Sequence, residues 1–282
     1  MVSNLTANQH LATSKMSSTL TFYDFEQGVP GRTVSPWAAK VRIVLNYKGL
    51  KHRTVFFRYL EIEKRSIELG IPANEFELKA DGSPKWTIPS LQDPTTNESL
   101  SDSLRIIDYL DRTYPETPQM LTPETVVAAL AFEAAIRDHV TMGRALKAVG
   151  VKIAESALGD GEKITFRKFI EGFLGMTLEE WKSDPKNGEE AMKALKEGFD
   201  TFEGLIFKKA DLVAEARGLK QQGPFIGGEK LTYVDAALGA VFHWMENLFG
   251  EDSAEWKQVT EWSNGRWGRY YKNIKPYTVV HD

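Results

Sequence analysis

The chain has 282 residues, 42% of them hydrophobic and 26% charged, and it contains no cysteine. With 35 Lys+Arg against 39 Asp+Glu the net charge is −4, so there is no electrostatic case for nucleic acid or an anionic membrane as the main partner. The missing thiol excludes a disulfide, a cysteine nucleophile, Cys-ligated zinc and an iron–sulfur cluster, and any reactive sulfur has to arrive with a ligand.

Residues 1–18 are polar and aperiodic and read as a loosely ordered extension without the apolar block of a secretory signal. No run reaches the ~18 apolar residues of a membrane span, which makes a cytoplasmic enzyme or binding protein the expectation. Asn4 and Asn97 sit in glycosylation-type triplets that are read as chance matches in that setting. From Leu20 the segments TLTFYDF and RTVFFRY carry the aromatic and β-branched density of strands. Between them Ala38, Val41, Val44 and Leu45 fall on one helical face, with Pro36 suited to the first turn and Gly49 to the C-terminal cap. This is a β-α-β unit, which implies a parallel pair with a right-handed crossover. KWTIPSLQD follows as a short strand interrupted by Pro89, then ESLSD, then the helix of DSLRIIDYLDRTYP.

After Pro115 strand signals stop. One helical stripe is Val127, Leu130, Ala131 and Ala134; a second is Met192, Leu195, Phe199, Phe202 and Ile206; a third is Val234, Ala237, Leu238, Val241, Phe242 and Met245. The Gly- and charge-rich stretches GDGEKITF and WKSDPKNGEE read as turns around short helices. The expected architecture is an α/β domain over 19–115 followed by an all-helical domain over 116–282.

Three spots in the α/β half carry functional chemistry, and each has a plain structural alternative. Ser35 with Trp37 opens the first helix, where a hydroxyl and free N–H groups at a positive dipole end favour an anion; the same pattern is an ordinary N-cap. A thiol held there would ionise below the ~8.5 of free cysteine. Ile88-Pro89, if cis, would free the Ile88 backbone for a peptide-like ligand, whereas a trans proline at a strand end would not. Asp102-Ser103 opens another helix, with groups suited to an ammonium and a carboxylate, or simply to capping.

In this order, Ser in the first β-α turn, Ile-Pro-Ser-Leu, then Ser-Asp-Ser before IIDYLDRTYP resembles the N-terminal domain of the glutathione transferases. GPFIGGEKLTYVDAALGAVF resembles that family's late helix, with Thr232 and Asp235 as its capping pair. The resemblance implies a thioredoxin-like domain with glutathione as co-substrate and no metal. It implies Ser35 hydrogen-bonding the glutathione sulfur, Ile88 with Pro89 pairing with the cysteinyl backbone, and Asp102 with Ser103 holding the γ-glutamyl end. Lys85, with Lys79 as rival, is placed for the glycyl carboxylate, and Trp37 and Trp86 flank the groove in sequence. SPW, DGSPKWTIPSLQDP, SDS and FIGGEKLTYVD look most like the serine-type, etherase-like (FuA) class of wood-decay fungi and the related bacterial β-etherases. Serine at position 35 disfavours the mixed-disulfide chemistry of cysteine classes.

The implied reaction is attack of the glutathione thiolate on hydrophobic aromatic or phenolic electrophiles or aryl ethers, with β-etherase-like or weak peroxidase activity included. The alternative is a non-catalytic ligandin for phenolic compounds. Acceptor-pocket candidates are Phe132, Ile136 and His139 on the first long helix, with Trp267 and Tyr270 from the aromatic-rich end. His139 and His243 have no partner at metal spacing and read as satisfied core or surface residues. Homodimerisation is a family expectation with no interface assigned.

Overall fold

A computed structural model describes residues 19–25, 28, 32–218, 223–226 and 228–282, apart from the Met142 side chain. The extension expected over 1–18 lies outside the described residues. Strand β1 (Leu20–Phe25) feeds helix α1 (Pro36–Tyr47) and then β2 (His52–Phe57), which pairs with β1 in parallel. After the short helix α2 (Ile62–Glu68), β3 (Ser90–Asp93) joins β1 antiparallel and β4 (Glu98–Ser101) joins β3, giving the order β2-β1-β3-β4. Helix α3 (Ser103–Thr113) closes this thioredoxin-like half. The predicted apolar face of α1 is realised, because Ala38, Val41, Val44 and Leu45 are fully buried.

The remainder is helical. Helix α4 (Val126–Ile136) runs through a π-helical stretch (Arg137–Ala145) into α5 (Leu146–Glu155). Then come α6 (Asp160–Leu174), α7 (Leu178–Ser183), α8 (Pro185–Leu205), α9 (Phe207–Ala216), α10 (Tyr233–Phe249) and α11 (Ala254–Ile274). Two expectations are corrected here. GDGEKITF opens the 15-residue helix α6, because the Glu162 carboxylate accepts the Gly159 N–H at 3.1 Å and caps a start that composition disguised. The stripe predicted on α4 is not its buried face, since Val127 is 76% exposed; that helix is apolar all round, so periodicity could not choose a side. The stripes on α8 and α10 are buried along most of their length.

Helix α1 lies against α10, and this contact joins the two halves. Buried polar ties reinforce it. Lys40 of α1 bonds Glu133 of α4 at 2.6 Å and the Tyr233 hydroxyl of α10 at 2.8 Å, and that hydroxyl also donates to Glu133. The end of the chain returns to the outer edge of β2, where the Thr54 N–H donates to the His281 carbonyl at 2.7 Å and covers an otherwise open strand edge.

Candidate active site

Sheet register brings the three sequence motifs to one end of the sheet. Ser90 pairs with both Tyr23 and Ser101, so Ile88-Pro89 just before β3 and Asp102-Ser103 just after β4 are neighbours. The C-terminal end of β1 points the same way and leads into the loop that carries Ser35. The Ile88-Pro89 bond is cis, and among the described residues neither the N–H nor the C=O of Ile88 has a hydrogen-bond partner.

Ser35 is the N-cap of α1. Its Oγ accepts the Ala38 N–H at 3.2 Å, which leaves the hydroxyl proton free to be donated to a ligand. Its own N–H donates to Thr33 Oγ1 at 3.3 Å, while that hydroxyl donates to Asp24 Oδ1 at 2.9 Å. Asp24 is in turn held by Arg42 at 2.8 Å, both side chains being fully buried. Burial pushes the Asp24 carboxyl up and the Arg42 guanidinium opposes it. The loop before Ser35 is therefore anchored from below by β1 and α1.

It is also held from the helical half. Asn247 of α10 donates through Nδ2 to the Thr33 carbonyl at 2.8 Å and lies 3.1 Å from His243 Nε2. Since Nδ2 is a donor, His243 Nε2 must accept, so the ring proton sits on Nδ1 and is donated to the Tyr271 hydroxyl at 3.1 Å. Tyr271 donates to Glu246 at 2.7 Å, and Lys275 closes the chain on Glu246 at 2.9 Å. Burial pulls the His243 pKa down to about 3, with Arg42, Lys275 and Arg32 adding to the effect. His243 is a neutral core histidine with every ring nitrogen used.

At the other end of the groove Asp102, at φ +79°, accepts the Leu104 and Arg105 N–H groups through one carboxylate oxygen. The other oxygen, with the hydroxyl and N–H of Ser103, has no hydrogen-bond partner among the described residues, although the carboxylate acts electrostatically on Lys40 and Tyr233. Trp37 is 46% exposed on the first turn of α1. Trp86 is half-buried and donates its indole N–H to the Ile71 carbonyl at 3.1 Å, bracing the end of α2. Lys85 is engaged with Glu77 at 2.5 Å and Lys79 with Glu63 at 2.8 Å, so a carboxylate reaching either lysine has to displace a resident one.

The profile of the glutathione S-transferase N-terminal domain matches residues 30–118, and that of the glutathione S-transferase C-terminal domain matches residues 129–277. The chain belongs to the glutathione S-transferase family. Glutathione S-transferase-like protein ustS of Aspergillus flavus is 30% identical over 269 residues, covering 90% of this chain and 88% of its own. A glutathione S-transferase of Ceriporiopsis subvermispora, solved in complex with glutathione, superposes with a TM-score of 0.79 at 31% identity, covering 93% of this chain and 100% of its own. GSTFuA3 of Phanerochaete chrysosporium gives 0.79 at 30% identity, with 94% and 99% covered. The co-substrate of this transferase family is glutathione. Among the described residues no cluster of three metal-ligating side chains is present, and no helix is long and apolar enough to cross a membrane.

The acceptor candidates of this transferase sit at different depths in the helical half. Trp267 is 1% exposed and packs on Phe199, Phe207 and Phe242 at ring distances of 5.4, 5.4 and 5.8 Å. Phe132 packs on Phe202 at 5.3 Å, and Ile136 is buried. Tyr270 donates to the Asp235 carbonyl at 3.1 Å, next to the cap of α10, where Asp235 accepts the N–H and hydroxyl of Thr232. His139 lies against α8, so close that a Cβ on Gly198 would stand 2.1 Å from its carbonyl oxygen. Ile136 and Trp267 are buried in the helical core, Phe132 and Tyr270 are half-buried against it, and His139 is half-buried. Beside the Ser35 loop lies a cavity of about 230 Å³ lined by Arg32, Val34, Lys152, Ser156, Asn247 and Leu248, among others. A larger hollow of about 620 Å³ lies at the opposite end of the strands, around Thr19, His52 and Asp93, remote from the groove. The i, i+4 spacing of His243 and Asn247 inside an apolar helix signals that the two side chains meet, but not that Asn247 reaches the Ser35 loop.

Proposed function

We propose that this chain transfers glutathione to small aromatic or phenolic electrophiles, including aryl ethers, with Ser35 stabilising the thiolate. The observation that carries this reading is the free Ser35 hydroxyl proton at the N-terminus of α1, at the same sheet end as the unpartnered Ile88 backbone and Ser103. A thiolate there accepts the Ser35 hydrogen bond and feels the helix field. The Ile88 N–H and C=O pair with the cysteinyl unit; Asp102 and Ser103 take the γ-glutamyl ammonium and carboxylate. Lys85 serves the glycyl carboxylate by exchanging Glu77, and Trp37 covers the exposed side. The Ceriporiopsis relative with glutathione bound supports this use of the groove.

Because Ser35 stabilises only the anion, Ser35→Ala raises the pKa of bound glutathione. With one hydrogen bond to a charged group lost, about 1.5–3 kcal/mol is at stake, so turnover at pH 7 falls about tenfold or more. The pH–rate profile with a chromogenic chloronitrobenzene tests this. An unchanged profile would remove Ser35 from the role and leave the backbone amides at the start of α1 as the activator, since the Thr33 hydroxyl proton is held by Asp24.

A ligandin that binds phenolic compounds without turnover is the second reading. It is favoured by one observation: among the described residues no titratable side chain hydrogen-bonds to Ser35, where it could accept the thiol proton. Phenol binding without any glutathione-dependent product would select it.

A further inference from the structure

The cavity beside the Ser35 loop carries an electrostatic signature that its apolar walls do not require. Val34 and Leu248 supply apolar surface, and a volume of about 230 Å³ suits a single substituted ring. Lys152, from the last turn of α5, and Arg32, from the loop, also line it. Among the described residues neither cation has a carboxylate within ion-pairing distance. Glu155 is in the same wall, but Lys182 neutralises it. A protein of net charge −4 thus places two cations without a salt bridge among the described residues in a cavity beside the loop that carries Ser35.

Asn247, which holds the Thr33 carbonyl, lines the cavity from α10 and Val34 lines it from the Ser35 loop, while Lys152 and Ser156 line it from α5. That wall is brought close by Gly28, at φ +78°, where a Cβ would stand 2.8 Å from the Ser156 side chain. A ring seated in this cavity has both cations in its lining, and a negative substituent gains from both even though each is solvent-exposed.

Resting on the transferase reading above, we propose that the cavity selects anionic aromatic acceptors, a single ring bearing a carboxylate, with Lys152 and Arg32 as the specificity-determining cations. In the transfer the sulfur–carbon bond forms at the electrophilic ring carbon while the bond to the leaving group breaks. The leaving group departs with the electron pair, and the thiol proton passes to solvent.

The test compares 4-chloro-3,5-dinitrobenzoate with its methyl ester, which share the reacting carbon and the chloride leaving group but differ in charge. The ratio of their kcat/KM values, normalised to the uncatalysed ratio, is expected to favour the acid. In the Lys152→Gln/Arg32→Gln variant it falls about tenfold through KM, and Lys152→Arg restores the lysine's share. A ratio indifferent to both substitutions overturns the inference. Calorimetric titration with unreactive 3,5-dinitrobenzoate and its methyl ester reads the cavity without turnover. Tighter binding of the acid that is lost in the double variant supports the inference even if neither chloride is consumed, an outcome that would refute the transferase reading alone. Equal binding of acid and ester overturns the inference.

Discussion

Thr33 stands between two restraints: its hydroxyl spans Asp24 and the Ser35 N–H, and its carbonyl is taken by Asn247. Removing Asn247 releases one of them and leaves the Ser35 loop tethered from a single side. Asn247→Ala is therefore expected to lower kcat about tenfold, as misplacement of a reacting group does, while the KM for glutathione changes far less. Steady-state kinetics at saturating glutathione check it; an effect confined to KM would make Asn247 a ligand contact and not a positioning residue. That Ser35 and Asp102 cap helices, with Ser103 opening the second, is legible in the sequence because a helix start is a local event, written within four residues. The role of Asn247 is not, since its partner lies 214 positions away and only the packing of α10 on the loop reveals it.

Helix α10 shows how a polar network is carried by an apolar element. Its buried residues include Ala237, Leu238, Val241, Phe242 and Met245, yet His243 and Asn247 on one face and Glu246 on the next turn form a continuous donor–acceptor chain. The chain requires His243 to be neutral. With its folded pKa at about 3 and an unfolded value near 6.5, the unfolded state binds the extra proton throughout that window. Stability is therefore full above pH ~6.5 and is lost as pH falls, by about 1.4 kcal/mol per pH unit for this group until the folded pKa is reached. His52, pulled down to about 4 by burial, adds a second contribution of the same sign. Denaturant unfolding at pH 7, 5.5 and 4.5 measures the slope. His243→Gln should lower stability at pH 7 and flatten the dependence, and an unaltered slope would show that other groups carry it. At this scale the sequence was readable where an apolar face was one-sided, as on α1, and misleading where it was not. Helix α4 is apolar all round, and α6 hides its start behind glycines and charges. The C-terminal aromatics stand out as a cluster in the sequence, but a tryptophan such as Trp267 that fills a core looks the same there as one that lines a pocket.

The two halves of the molecule were the most legible feature, because strand composition ends at one place and helical periodicity takes over. What binds the halves was not. Lys40 is nearly fully buried and meets Glu133, whose side chain keeps 28% exposure, together with Tyr233. The group that suffers most when the cluster is broken is thus the lysine, for burial alone already lowers its pKa. Glu133→Gln strands the ammonium and is expected to cost about 2–4 kcal/mol, whereas Lys40→Met removes the buried charge and should cost less than about 1.5 kcal/mol. Chemical denaturation of the two variants decides the order, and a costlier Lys40→Met would mean that the ion pair itself, not the stranded charge, supplies the stability. The cavity beside Ser35 sits on the same junction, and its two walls are not equivalent. On the α10 side, Asn247 belongs both to the cavity and to the support of the nucleophile loop, so a substitution there alters ligand choice and chemistry together. Lys152, on the α5 side, has no second duty among the described residues. Diversification of substrate range in descendants of this chain, natural or selected in the laboratory, should accumulate on the α5 wall and leave the α10 wall unchanged.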